Sequence, residues 1–86
     1  MASVQEFQEQ LMAFVSEVRE LQEEIASSAN ELDEPQEEIQ KTMEGSNSST
    51  GDTVSGALEE AKSSLKQASD MLEEVAQSVE QYAASI

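Results

Sequence analysis

The sequence contains no cysteine, no histidine and no tryptophan, and it has one proline and three glycines among 86 residues. Without cysteine, the chain has neither a disulfide framework nor a thiolate metal site. Without histidine, it lacks the commonest general base and a frequent metal ligand. Its aromatic residues are Phe7, Phe14 and Tyr82. We therefore expect no enzymatic activity, no catalytic residue, no metal site and no cofactor.

Positive charge is also scarce, since four Lys and Arg accompany 19 Asp and Glu and give a formal charge of −15. Such a surface repels phosphate groups, so we expect neither nucleic acid nor anionic lipid as a partner. No apolar run is long enough to insert into a bilayer. The N-terminal residues lack the basic region and long apolar run of a cleaved signal peptide. We expect the chain to be made in the cytoplasm.

The sequence does contain a heptad repeat, which is interrupted once. In the first half, apolar residues recur every seven positions, with further large residues three positions after the first three: Val4, Leu11, Val18, Ile25, Leu32 and Ile39, then Phe7, Phe14 and Leu21. The second half keeps the period with Leu58, Leu65, Leu72, Val79 and Ile86, then Val54, Ala61, Ala68, Val75 and Tyr82. Spacings of three and four place such residues on one stripe of an α-helix, which favours coiled-coil packing.

The first half predicts one long helix over about residues 4–43. Ser3 is a suitable N-cap, and Glu6 three positions later completes a capping box. Pro35 lacks an N–H and clashes with the carbonyl four residues earlier, which predicts a kink at 33–35 or a break and restart there. Because Ile39 returns in phase with the repeat, a kink is favoured.

The interruption over about residues 44–52 is polar and aperiodic, which predicts a loop. A second helix then follows over about residues 53–84, capped by Asp52 or Thr53. A short connection makes two long helices antiparallel neighbours. The predicted fold is therefore all-α, a single antiparallel helical hairpin over residues 1–86.

Two helices alone leave one side of each stripe open, so we expect the hairpin to dimerise into a four-helix bundle. Small residues flank the second stripe and allow close helix approach on more than one side: Ala57, Ser64, Ser69, Ala76, Ser78 and Ala83. The predicted partner interface comprises the large stripe residues: Val4, Phe7, Leu11, Phe14, Val18, Leu21, Ile25, Leu32, Ile39, Val54, Leu58, Leu65, Leu72, Val75, Val79 and Tyr82. Recurrent pairs of adjacent glutamates point about 100° apart on a helix, which is typical of a solvated surface.

The layout resembles the Trp-x-Gly (WXG) family of small helical hairpins of type VII secretion systems. The corresponding turn is Met43-Glu44-Gly45, in which Gly45 matches the family glycine and Met43 replaces the tryptophan. The segment from Ala68 to Tyr82 is similar to the end of the family's second helix. The family's export signal places an acidic residue four positions after a tyrosine, whereas Tyr82 is followed by Ala-Ala-Ser-Ile.

The resemblance implies a small secretion substrate, exported without a cleaved signal peptide, or the targeting chaperone of a larger secreted substrate. The small helical partners of Leu-x-Gly (LXG) toxins are a related possibility. It also implies a helical partner: a different hairpin is favoured, with the helical domain of a secreted toxin or a second copy as alternatives. The rival interpretation is an intracellular homodimeric coiled-coil scaffold or assembly adaptor.

Overall fold

The computed structural model describes residues 3–46 and 49–86, and the regular structure of these residues is helical. Helix α1 spans Val4–Glu31, α2 spans Asp33–Thr42 and α3 spans Thr50–Ser85. Helices α1 and α2 together form one bent arm, and α3 returns beside both of them. The molecule is a rod with extents of 68 × 16 × 15 Å. The all-α hairpin predicted from the heptad repeat is confirmed.

Helix α1 begins at the predicted cap. Ser3 has extended backbone dihedrals, and its hydroxyl accepts a hydrogen bond from the Glu6 N–H at 3.1 Å. This bond satisfies one of the amide groups that a helix N-terminus leaves without an intrahelical partner. A serine at this position is typically worth about 1 kcal/mol of stability over alanine.

The bent arm is interrupted at Leu32, which separates α1 from α2. The Leu32 N–H bonds to the carbonyl of Ala29 at 3.3 Å, a tighter pattern than the α-helical one. Pro35 then lies in the first turn of α2, where a missing N–H is tolerated best. Because the break takes a single residue, Ile39 stays half-buried beyond it. The proline therefore bends the arm without ending it.

The turn between α2 and α3 uses a glycine where the backbone requires one. Met43 ends α2, and the Ser46 N–H bonds to the Met43 carbonyl at 3.0 Å. Between them Gly45 has φ of +81°, a left-handed conformation that residues with a Cβ adopt at an energetic penalty. Asn47 and Ser48 lie outside the described residues.

The predicted caps of the second helix are wrong. Helix α3 begins at Thr50, inside the segment 44–52, with Ser49 as its N-cap residue. Asp52 and Thr53 therefore lie within its first turn, where the Thr53 hydroxyl donates to the Ser49 carbonyl at 3.1 Å. The negative charge of Asp52 still suits this position, because a helix N-terminus carries partial positive charge. The polar composition of this segment concealed the start of the helix.

The hairpin's own interface uses part of the predicted stripe together with small residues beside it. The buried residues of α3 are all small: Gly51, Ser69, Ala76 and Ala83. Three of them lie four residues after Leu65, Leu72 and Val79, whereas the predicted stripe continued three residues after them. Across from them, α1 buries Val15 and Val18, at 3% and 5% exposure.

Side-chain size explains this choice of stripe. Ala76 is fully buried in a cluster with Val15 and Val18, against which Leu72 and Val79 pack. Small residues on one helix let two backbones approach closely, and a phenylalanine directed into that gap would force them apart. The heptad repeat predicts that Phe7, Phe14 and Leu21 share one stripe with Val18. In the hairpin's own contact they separate, because Val18 is buried and the other three lie at an exposed edge.

Gly51 gives a direct test of close approach at the turn. A Cβ on Gly51 would lie 2.7 Å from Cβ of Met43, whereas one on Gly56, in the same helix, would meet no atom within 4 Å. We expect Gly51→Ala to lower the stability by about 1–3 kcal/mol through overpacking. We expect Gly56→Ala to raise it by about 0.5–1 kcal/mol through helix propensity. Chemical denaturation of both variants measures the difference, and equal stabilisation by the two would contradict the packing of this turn.

Candidate interaction surface

One side of the hairpin carries an exposed row of large apolar side chains. Its best-defined contact joins the two helices near their free ends, where the rings of Phe7 and Tyr82 pack edge to face. Their centroids are 6.2 Å apart and their planes differ by 88°. Such an arrangement is a favourable one for two aromatic rings. Even so, Phe7 remains 39% exposed and Tyr82 52% exposed.

The heptad repeat extends this row along the rod. Because the helices are antiparallel, moving seven residues forward from Phe7 and seven back from Tyr82 pairs Phe14 with Val75. One further heptad pairs Leu21 with Ala68. Phe14, Leu21 and Val75 are 44%, 51% and 42% exposed. We call this row the apolar face, and its residues are Phe7, Phe14, Leu21, Ala68, Val75 and Tyr82.

The predicted partner residues fall into three groups by exposure. Val18 is buried inside the hairpin. Half-buried residues, which line the contact between the helices, are Leu11, Ile25, Leu32, Ile39, Leu58, Leu65, Leu72 and Val79. Exposed residues, which present apolar surface to solvent, are Val4, Phe7, Phe14, Leu21, Val54, Val75 and Tyr82. The single predicted stripe thus divides into an inner part that closes the hairpin and an outer part that stays open.

The turn motif lies at the far end of the rod from this aromatic pair. Met43 is half-buried and packs against Gly51, while Gly45 is exposed and reverses the chain. In this turn Met43 is an apolar side chain that joins the end of α2 to the start of α3. It contributes to the geometry of the hairpin and is distant from the apolar face.

The opposite side of the rod is held by charged contacts, and we call it the polar face. Arg19 donates two hydrogen bonds to the Glu73 carboxylate, at 3.0 and 2.9 Å, and pairs with Glu80 as well. Lys62 pairs with Asp33 at 2.5 Å. These contacts join α3 to both parts of the bent arm. The heptad pattern alone gave no sign of them, because they depend on how the two helices are aligned.

The polar and apolar faces lie on opposite sides of the buried residues. Along α1, Val15 and Val18 point towards α3, with Phe14 preceding the first and Arg19 following the second. At about 100° per residue, Phe14 and Arg19 flank the buried pair on either side. The hairpin therefore has one edge closed by ion pairs and one edge that is apolar and open.

The ion pairs perturb the titration of their members. Hydrogen bonds from Arg19 lower the pKa of the Glu73 carboxyl, with desolvation opposing the shift. Hydrogen bonds to Glu80 and Glu73 raise the pKa of Arg19. The hydrogen bond to Asp33 raises the pKa of Lys62. All these groups are partly exposed, so solvent screens their interactions and each pair contributes modestly to stability.

The remaining polar groups form no reactive arrangement in the described part of the chain. No cluster of three or more acidic side chains there converges on a point suited to a metal ion. Across residues 3–46 and 49–86, none of the helices combines the length and apolar character needed to cross a bilayer. The apolar face is therefore the candidate interaction surface of the described residues.

Comparison with known proteins gives no family for the chain. No protein-family model matches it, and neither the curated proteins nor the solved structures include a significant match.

The Arg19–Glu73 pair predicts a pH-dependent contribution to stability. A carboxyl whose pKa is lower in the folded state stabilises the fold above its unfolded pKa of about 4.3. That contribution disappears as the pH falls through the folded pKa. We expect Glu73→Gln to lower the melting temperature near neutral pH and to have no effect at a pH well below the lowered pKa of Glu73.

Glu74→Gln is the matched control, because it removes the same charge from an exposed neighbour. It should leave the melting temperature unchanged or raise it slightly, since the chain is strongly acidic. Thermal denaturation by circular dichroism at both pH values measures the difference. An equal response of the two variants at neutral pH would contradict a stabilising ion pair at Glu73.

Proposed function

We propose that this chain is a non-enzymatic helical interaction protein whose apolar face packs against a second helical element to complete a four-helix bundle. The observation that carries the proposal is the apolar face itself, a row of apolar side chains on a formed hairpin in which Phe7, Phe14, Leu21, Val75 and Tyr82 are large and exposed. Contiguous exposed apolar surface of this kind typically marks a protein–protein contact. The charged outer surface then keeps the assembled pair in solution.

The exposed area of the chain supports a missing partner. Its accessible surface is 6372 Å². A compact monomer of this length exposes about 5,000 Å², so the rod exposes roughly a quarter more. A standard protein–protein interface removes about 800 Å² from each partner. One such interface would therefore cover most of the area by which the rod exceeds a compact monomer.

The small buried core supports the same conclusion. Within residues 3–46 and 49–86, the buried apolar residues are Val15, Val18, Ala76 and Ala83, and no large side chain is fully buried. Burying one large apolar side chain contributes about 1.5–3 kcal/mol. Phe7, Phe14 and Leu21 supply only part of this, because they are 39%, 44% and 51% exposed. A partner that covers them adds stability that the hairpin alone does not have.

The more specific proposal is a small substrate of a type VII secretion system, or the targeting chaperone of a larger secreted substrate. The resemblance to the Trp-x-Gly family supports it, since Met43-Glu44-Gly45 forms the turn between two long antiparallel arms. In such a role the partner is a different helical hairpin or the helical domain of a secreted toxin. In such a pair the partner carries the export signal.

Neighbouring substitutions separate the hairpin from its pairing. Phe14 is 44% exposed and Val15 is 3% exposed. We expect Phe14→Asp to leave the helical circular dichroism spectrum of the chain intact and to abolish the complex with a co-expressed helical protein encoded beside it. Val15→Asp should unfold the hairpin itself, because it buries an unpaired charge.

The secretory role has its own measurement. Export of the tagged chain should stop when the type VII ATPase of the host is deleted, and the Phe14→Asp variant should not be exported. Export that continues without the ATPase would refute this role while leaving the pairing proposal standing. A stable homodimer that stays inside the cell would instead identify the chain as a coiled-coil scaffold.

A further inference from the structure

We infer that the apolar face is covered by a basic amphipathic helix from a different polypeptide, which lies along the half of the rod near the free ends. This inference rests on the proposed pairing function and specifies the chemistry of the partner. It follows from the charges that border the apolar face and from the extent of its large side chains.

The border of the apolar face on α1 is acidic. The residues three positions after Phe7, Phe14 and Leu21 lie next to them on the outer side of the helix. Along α1 and α2 this border reads Gln10, Glu17, Glu24, Glu31 and Glu38. All of these side chains are exposed. A helix packed on the apolar face would place its own flanking residues beside these carboxylates.

The border on α3 carries no charge. We call Val54, Ala61, Ala68, Val75 and Tyr82 the outer stripe of α3. The residues three positions after them are Ala57, Ser64, Met71, Ser78 and Ser85. Most are small, so a partner helix can approach α3 more closely than α1. The apolar face is therefore asymmetric, with carboxylates on one side and small neutral residues on the other.

None of the four basic side chains borders the apolar face. Arg19 and Lys62 are engaged in ion pairs on the polar face. Lys66 lines the groove on that same side, together with Lys62 and Asp33. Lys41 is exposed near the end of α2, in the half of the rod away from Phe7.

This distribution of charge disfavours a second copy as the occupant. Another copy would add a further formal charge of −15 and would bring no basic residue to the acidic border. Complementary charges stabilise an interface and speed its formation, whereas like charges oppose it. A helix with Lys or Arg on one flank of its apolar stripe meets Glu17 and Glu24 directly.

The large side chains also limit the footprint of the partner. Phe7, Phe14, Leu21, Val75 and Tyr82 all lie in the half of the rod that contains the free ends. Towards the turn, the outer stripe continues with Ser28, Pro35, Ala61 and Val54, all exposed. Only Val54 among these is a large apolar residue that a helical partner would gain by covering. The partner helix therefore needs a length of about three heptads.

Synthetic peptides of three heptads test the inference. One carries a leucine stripe bordered on one side by lysines, the second has glutamates in place of those lysines, and the third is the lysine peptide with its leucines scrambled off the stripe. By isothermal titration calorimetry, the basic amphipathic peptide should bind at least about tenfold tighter than the acidic one. The scrambled peptide should bind much more weakly than the basic amphipathic one.

Charge-reversal variants locate the acidic border. Glu17→Lys combined with Glu24→Lys should remove the preference for the basic peptide. Glu20→Lys combined with Glu23→Lys makes the same change in charge on residues of α1 away from this border, and it should retain the preference. An equal loss in both double variants would overturn the inference, because the preference would then reflect net charge alone.

Two valines on α3 test the footprint. Val75 and Val54 belong to the same outer stripe and are 42% and 36% exposed. Val75→Ser should weaken binding of the basic peptide about tenfold or more, and Val54→Ser should leave it unchanged. Equal weakening by both would overturn the limit to one half of the rod.

The remaining outcomes separate this inference from the proposed function. If the acidic peptide binds as well as the basic one, or if the chain alone forms a dimer that Val75→Ser dissociates, the apolar face pairs but its partner is not basic. The function then stands and this inference fails. If neither amphipathic peptide binds and the chain alone stays monomeric, both are overturned.

Discussion

The close approach of two long helices along a line of small side chains is the constraint on which the rest of this structure depends. Ser69, Ala76 and Ala83 recur every seven residues on α3 and are buried against α1. Their small size lets Val15 and Val18 close the hairpin with very little apolar volume. The same close approach leaves no room for the phenylalanines of α1 between the two backbones. They therefore lie in a separate row at one edge of the rod.

This division of the apolar residues gives the two edges of the rod different properties. At one edge, Arg19 and Lys62 form ion pairs with carboxylates of the facing helix. These pairs help to fix the alignment of the helices without a large core. At the other, the rings of Phe7 and Tyr82 pack against each other while both residues stay partly exposed to solvent. The edge with the ion pairs is closed, whereas the edge with the aromatic rings exposes apolar surface. The hairpin therefore offers apolar surface for contact on one side. The bend at Leu32 and the turn at Gly45 keep the two arms together at the far end.

Much of this fold could be predicted from the sequence. The heptad period, the cap at Ser3 and the bend near Pro35 are local signals, and the structure agrees with each of them. The start of α3 at Thr50 could not be predicted, because its first residues are ones that usually form loops. The choice of stripe was also hidden. By spacing alone, Leu72 can share a helix face with Val75, three residues later, or with Ala76, four residues later. The packing of the two helices decides that Ala76 is buried beside it.

Val15, Val18 and Ala76 close the hairpin, whereas Phe14 and Val75 stay outside this buried cluster and remain partly exposed. Because the chain has no cysteine, single-cysteine variants allow a direct measurement of this by thiol labelling of the isolated protein. We predict that Phe14→Cys and Val75→Cys, at positions 44% and 42% exposed, react directly in the folded state and much faster than the buried positions. Cysteines at positions 15 and 76 should react only through opening of the hairpin. Slow labelling of cysteines at positions 14 and 75, together with fast labelling at positions 15 and 76, would contradict this packing of the hairpin.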